Sequence, residues 1–433
     1  MPHVLGVKGW HMHGVRSLRM TGLALSAVVA LAGCSSGDGS NPDRDSPRTA
    51  TAVGAKPLRV VSVAPATLTG TTPIVVTFKH ALADDSPLPT ITPEMPGQWQ
   101  RDGQSATFIP AQSYPPSTQF TLTLPQPNGV ATTIGQAESD AGSLRFAAQI
   151  LARLHYLPLD TKAVQPSDEA AEAAAVYLPP AGKFVWRYAD TPSALQAAWI
   201  PGKENIVLRG AVIAFQHQAH LKQDGAVGPA TWKALQLADL AGKMNPDKYS
   251  YISANLYVPQ RLNVWVDGQT VLSTAVNGGV PAAPTPLGTY PIYLRYTATT
   301  MQGTNPDGTK YKDKGVPWVN YFSGGSAVHG FVRASYGTPQ SVGCLELPPD
   351  VAKKVYDLVD YGTLVTVAGP YVKPPKVAKP APPKPKHKKH PKPSASPSAT
   401  ESATASPSAR PSTKPSKASS PTPKPTRSHR PNS

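Results

Sequence analysis

The sequence predicts a multidomain, mainly β protein, and three observations predict it. The 433 residues are too many for one hydrophobic core. Short apolar runs with a two-residue period, broken by Pro and Gly, fill two separate stretches, near 57–130 and 250–369. Between them, residues 143–242 take up the 3.6-residue spacing of amphipathic helices. The two ends of the chain follow neither pattern.

Residues 1–33 read as an export signal. Lys8, Arg16 and Arg19 precede an apolar run from Leu23 to Leu31, which closes on Ala32-Gly33-Cys34. That run is shorter than the ~20 residues a spanning helix needs. Leu31-Ala32-Gly33-Cys34 resembles the lipobox of bacterial lipoproteins. The resemblance implies lipidation of Cys34 and an extracytoplasmic, membrane-anchored lipoprotein facing the cell wall. The plainer reading is a secretory signal in which Cys34 is incidental. Acyl chains contribute ~0.8 kcal/mol per buried CH₂, so a multiply acylated terminus would stay in the membrane. A polar linker, 34–56, follows.

The formal charge of +16 belongs to the ends. Residues 373–433 carry eleven lysines and three arginines against Glu401, and the first 33 residues hold no acid, so the middle of the chain is near neutral. A nucleic-acid-binding face is therefore not expected. The tail, 371–433, is Pro, Lys, Ser, Ala and Thr without period. It cannot bury enough apolar surface to offset its chain entropy, and the sequence predicts a disordered, extended segment. Its charge would draw anionic wall polymers or phospholipid headgroups, or serve only as a solvated linker.

Residues 57–130 carry four clear strand patterns: Leu58–Val63, Pro73–Phe78, Ala106–Ile109 and Gln119–Leu124. Their layout resembles a bacterial immunoglobulin-like β-sandwich, which implies a spacer role. In the helical stretch, Leu144, Ala147, Ala148, Leu151 and Leu154 recur on one face until Leu157-Pro158. Ala211–Gln216 then predicts a helix, Asp224-Gly225 a tight turn, and Pro229 the first turn of a second helix whose Trp232 and Leu235 pack back on Phe215. The pair "AVIAFQ" and "DGAVGPATWKAL" resembles the small helical peptidoglycan-binding domain. That implies a hold on glycan; a packing module for the next domain is the plainer reading. The insertion between Leu159 and Ile206 departs from the family's compact pattern.

The last globular stretch, 250–369, has strand patterns at Leu262–Val266, Val271–Val276, Tyr290–Arg295 and Thr363–Val367, a hairpin signal at Asp267-Gly268, and one short helix near 350–360. Its chemistry gathers at Val328-His329-Gly330 and Ser341-Val342-Gly343-Cys344. If Cys34 is acylated, Cys344 is the one cysteine left over, either buried and inert or reactive for a reason. A thiol of pKa ~8.5 is only a few per cent thiolate at neutral pH, so a nucleophilic Cys344 needs a base such as His329. Gly330 and Gly343 would allow close backbone approach or unusual φ, and an N–H near Cys344 could face an oxyanion.

These residues resemble the L,D-transpeptidase catalytic (YkuD-type) domain, whose motif is His-Gly, a spacer, then Ser-His-Gly-Cys. His329-Gly330 and Ser341-Val342-Gly343-Cys344 carry it. Asn255–Val264 and Pro284-Thr285-Pro286-Leu287-Gly288-Thr289-Tyr290 resemble the opening strand and the "TPxGxY" turn. The resemblance implies Cys344 as nucleophile, His329 as base, and Ser341, Gly343 and Gly330 as motif and oxyanion residues. It implies peptidoglycan stem peptides and glycan as partners, 3→3 cross-linking in cell wall biogenesis, and no cofactor. Two positions depart: Val342 stands where the motif has histidine, and Glu346 where Arg or Asn is usual. Water as acceptor would make a carboxypeptidase, a protein amine is a third acceptor, and the two departures could equally leave an inactive wall-binding protein. Trp318, Tyr321, Phe322 and Tyr336 could line the cleft or pack the core. No metal is expected: His387 and His390 lack cysteine or carboxylate companions.

Overall fold

The computed structural model describes residues 58–126 and 129–370. The export signal, Cys34, the linker and the basic tail lie outside the described residues. The first domain holds β1 (Val60–Ala64), β2 (Thr67–Leu68), β3 (Ile74–Phe78), β4 (Thr90–Thr92), β5 (Gly97–Asp102), β6 (Ser105–Pro110), β7 (Gln119–Pro125) and β8 (Ala131–Ser139). They form two four-stranded sheets, ordered β1-β3-β6-β5 and β2-β8-β7-β4. Alternate residues of β3 (Ile74, Val76, Phe78) and β7 (Phe120, Leu122, Leu124) are buried between the sheets, as the period of a strand requires. β8 carries the sandwich past residue 130 to Ser139. Its polar composition shows no apolar alternation, which is why the sequence pattern missed it.

The helical domain contains α1 (Leu144–Arg153), β9 (Leu159–Thr161), α2 (Glu169–Ala175), β10 (Phe184–Trp186), α3 (Ser193–Ala197), α4 (Ile206–Gln218) and α5 (Pro229–Leu240). The Asn205 side chain caps α4 by accepting from Leu208 N–H (2.9 Å), and Pro229 opens α5. Asp224-Gly225 makes the turn between them, with Gly225 at φ +71°. Trp232, Leu235 and Phe215 share one core, but the ring stacked on Trp232 is Phe146 of α1, at 6.3 Å and 17°. The insertion after Leu159 is a β9–β10 hairpin with two short helices, and α2 packs against α5.

That insertion places a carboxyl in the core. Glu172 is fully buried, no N–H or O–H group donates to its oxygens, and Asp239, held by the fork of Arg153, stands where it accepts from the protonated Glu172 carboxyl. Burial, then Asp239, pushes the Glu172 pKa up to about 8 from its ordinary 4.5. The folded protein therefore keeps a proton that the unfolded chain has released. This contribution to stability is complete below about pH 4.5 and is lost as the pH rises through about 8. Urea midpoints measured from pH 5 to 9 should fall with pH, and Glu172→Gln should flatten that fall. An unchanged slope in the variant would remove Glu172 from the pH dependence.

The third domain contains β11 (Ser250–Asn255), β12 (Arg261–Val266), β13 (Gln269–Ala275), β14 (Gly288–Pro291), β15 (Leu294–Thr304), β16 (Lys310–Ser323), β17 (Ser326–Gly330), β18 (Leu345–Leu347), α6 (Pro349–Leu358) and β19 (Leu364–Ala368). One sheet runs β13-β12-β11-β19-β14 and the other β15-β16-β17-β18. Asp267 (φ +44°) and Gly268 (φ +93°) turn β12 into β13, the primed-turn geometry that Asp-Gly favours. The strand pattern at Tyr290–Arg295 is two strands in two sheets. Ile292, fully buried, marks the crossing, and a period of two does not say which sheet a residue joins.

The helical domain is fastened to the outer side of the first of these sheets. Tyr251, Trp265 and Leu364 belong to its core cluster, Tyr188 Oη donates to Asp267 Oδ1 (2.7 Å), and His217 stacks on Tyr361 at 4.1 Å. Gly210 of α4 lies so close to the Gly362 carbonyl that an added Cβ would sit 2.6 Å from its oxygen.

Candidate active site

The sheet geometry decides what His329 and Cys344 can do together. β17 and β18 run parallel, with Val328 opposite Leu345 and His329 opposite Glu346. Paired residues share a face and alternate residues repeat it, so Cys344, one residue before β18, emerges on the face of His329 and Glu346. Ala327 lies on that face too, and it packs with Val316, Val319, Met301, Tyr321 and Cys344 in one small cluster. The opposite face, carrying Val328, Leu345 and Leu347, is buried in the domain core beside Ala352 and Val355 of α6.

His329 is almost fully buried, and its Nδ1 lies 3.0 Å from the Gly330 carbonyl oxygen. A carbonyl only accepts, so Nδ1 carries the proton and Nε2 is the basic nitrogen. Burial, the largest influence, pulls the imidazole pKa below its ordinary value, which keeps the ring neutral and able to take a proton. Gly330 is a packing glycine. A Cβ there would meet Pro317 at 3.0 Å and Pro349 at 3.1 Å.

The Cys344 thiol is free and partly buried, 3.8 Å from the Gly325 carbonyl as a weak donor. Burial first, with a smaller push from Glu346, raises its pKa to about 11. It therefore rests as a thiol. Its backbone is held firmly, because Ser341 Oγ (2.7 Å) and Thr285 Oγ1 (3.3 Å) both donate to the Cys344 carbonyl. Gly343, at φ +107°, makes the sharp approach to the cysteine, and its N–H donates to Ser341 Oγ (3.2 Å). Val342 is 39% exposed, so the position where the motif has a histidine carries an apolar surface side chain.

Glu346 is not a bare charge. Arg333 Nε and Nη2 donate to its two carboxylate oxygens at 2.8 and 2.9 Å, and the carboxylate is buried. The reversed charge read from the sequence is thus neutralised within the protein. Sequence reasoning also missed Asn277. Buried, it exchanges backbone hydrogen bonds with Glu346 (3.0 and 2.9 Å), and its side chain accepts from Gly337 N–H (2.9 Å) and donates to the Ser335 carbonyl (3.0 Å). The run Asn277-Gly278-Gly279 after a strand was the available signal. Of the four candidate cleft aromatics, Tyr321 lies in the cluster with the thiol. Phe322 is in the core, Trp318 packs on Tyr356, and Tyr336 Oη donates to the Phe331 carbonyl (2.6 Å). A cleft of about 490 Å³, lined by Lys312, Asp313, Lys314, Val316, Gly330 and Phe331 among others, opens at the Gly330 end of β17, and neither His329 nor Cys344 lines it. Among the described residues, no group of three or more His, Cys, Asp or Glu is placed to hold a metal ion.

A two-sheet domain with a histidine and a cysteine on one sheet face has the parts of a thiol-dependent acyl-transfer enzyme. Residues 250–367 match the L,D-transpeptidase catalytic domain, and residues 205–235 the peptidoglycan binding domain. The catalytic domain of an E. faecium L,D-transpeptidase is 30% identical, over 28% of this chain and 96% of that one, with a TM-score of 0.26. The same domain acylated by ertapenem is also 30% identical, over 28% and 98%, with a TM-score of 0.26. An L,D-transpeptidase from Mycobacterium smegmatis is 16% identical over 72% of this chain and 100% of that one, with a TM-score of 0.25. No curated protein matches the chain. On its catalytic region, the chain belongs to the L,D-transpeptidase family.

Proposed function

We propose that this protein is a membrane-tethered peptidoglycan L,D-transpeptidase working through an acyl-enzyme on Cys344. The observation that carries the proposal is the parallel β17–β18 register, which puts His329 and Cys344 on one sheet face. In the first half-reaction, His329 Nε2 takes the thiol proton as Sγ attacks the carbonyl of the third, diamino-acid residue of a tetrapeptide stem. The bond to the terminal D-Ala breaks, and His329 returns the proton to the leaving amine. In the second, an amine of a neighbouring stem gives its proton to His329 and attacks the thioester, and Cys344 leaves to recover its proton. The product is a 3→3 cross-link; with water as acceptor it is a shortened stem. The Gly343–Cys344 peptide, turned as a positive φ allows, presents the Cys344 N–H as oxyanion donor. Distances between catalytic groups tighten when substrate arrives, so the unliganded thiol can rest on Gly325.

The tether is the lipidated Cys34, and the basic tail meets anionic wall polymers; both rest on the sequence. Val342 favours a second reading, an inactive wall-binding lipoprotein. Treating the purified protein with a carbapenem should add one reagent mass to the peptide containing Cys344, and tetrapeptide muropeptides should become cross-linked or shortened. If no adduct forms and the muropeptides pass through unchanged, the wall-binding reading replaces the enzyme.

A further inference from the structure

We propose that the Arg333–Glu346 ion pair is a positioning device for the acyl transfer, holding the His329 imidazole beside a neutralised pair instead of a bare carboxylate. The inference rests on His329 being the base proposed above.

Four observations carry it. Glu346 is the cross-strand partner of His329 and shares its face, so its carboxylate cannot avoid the imidazole's surroundings. It is 5% exposed, and a lone carboxylate so buried would have to gain a proton or draw one onto its neighbour. Both oxygens are met by the fork of Arg333, the geometry that a guanidinium supplies and a lysine does not. Both partners are fixed. Asn277 pins the Glu346 backbone on both sides, and the Arg333 guanidinium lies 4.6 Å from the Phe331 ring centroid, one residue beyond Gly330.

The charged and titratable groups facing His329 are Glu346 from β18, Arg333 from the loop after β17, and Asp313 from β16. Cys344 shares its face. Glu346 and Asp313 favour the protonated ring, and Arg333 opposes it. Glu346 also disfavours the Cys344 thiolate. A carboxylate without its arginine would thus hold a proton on the base and on the nucleophile together, the wrong state for both. With the pair intact, the ring stays neutral and Nε2 stays open.

The test is the pH dependence of Cys344 alkylation by iodoacetamide, with the His329 ring titration followed by NMR in the same proteins. Neither readout requires that the protein cross-link peptidoglycan, so a failed enzyme reading and a failed positioning reading are distinguishable. Arg333→Gln should move the His329 titration to higher pH by about one unit and slow alkylation by up to about tenfold at acidic pH, where the ring now holds its proton. Glu346→Gln, leaving the guanidinium unopposed, should move the titration the other way. The double variant should return it to near the wild-type position. Circular dichroism of each variant checks that the domain is folded. If Arg333→Gln is unfolded, the comparison of Glu346→Gln with the double variant still reads the arginine's charge; if Glu346→Gln is unfolded, the comparison of Arg333→Gln with the double variant reads the carboxylate's. Shifts of the same sign in both single variants, or no shift in either, would overturn the proposal.

Discussion

Replacing His329 with alanine should slow acylation of Cys344 by a carbapenem about 10²–10⁴-fold, the range a positioned general base supplies. The physical reason lies in the resting thiol. With its pKa raised to about 11, only about one thiol in 10⁴ is ionised at pH 7, so reaction through preformed thiolate is slow. The wild-type protein escapes that limit because Nε2 removes the proton as the carbon–sulfur bond forms. Without the ring, the remaining rate should climb about tenfold per pH unit through the alkaline range, following the thiolate alone. The wild-type rate should instead level off once His329 is neutral, and burial places that point below the ordinary histidine value. Single-turnover mass spectrometry between pH 6 and 10 measures both profiles. A His329→Ala protein that reacts at the wild-type rate would remove this residue from the base's role. Cys344→Ala, which deletes the nucleophile, should give no adduct at any pH.

Trp232→Ala should destabilise the helical domain by about 3–5 kcal/mol, the range for emptying a large aromatic site. Trp232 is fully buried and stacked on Phe146, and its Nε1 donates to the Ala141 carbonyl at 2.9 Å. Removing it leaves a cavity and an orphaned carbonyl on the segment joining β8 to α1. Gly142, at φ +78°, passes so near that an added Cβ would lie 3.0 Å from the indole, so the connector has been shaped around this ring. Urea unfolding followed by circular dichroism measures the loss, and Trp232→Phe should recover part of it by keeping a ring against Phe146. A loss below about 1 kcal/mol would show that the site refills and that the indole is not the centre of this core.

Local rules made much of this fold readable. Asp267-Gly268 needs two positive φ angles whatever surrounds it, and Pro229 suits a first helical turn in any context. Ile74, Val76 and Phe78 alternate because one side of β3 is dry. Where the deciding partner is distant, the sequence misled or was silent. Phe146 replaced Phe215 as the ring on Trp232, because both belong to one core and spacing cannot rank its members. The long β15–β16 hairpin went unread, since its exposed polar residues carry no apolar period. Glu346 looked like a reversed charge until Arg333, thirteen residues earlier, was found to fork it.

By itself, the sequence determined which groups can react: one unpaired thiol among the described residues, one histidine ahead of it, and the glycines that let the chain bend between them. Those are properties of residue type and short spacing. The tertiary structure alone decided that the histidine and the thiol share a face, that Nε2 is the free nitrogen, and that Glu346 is neutralised. Strand register, burial and ion pairing depend on residues brought together from afar, and no local pattern encodes them.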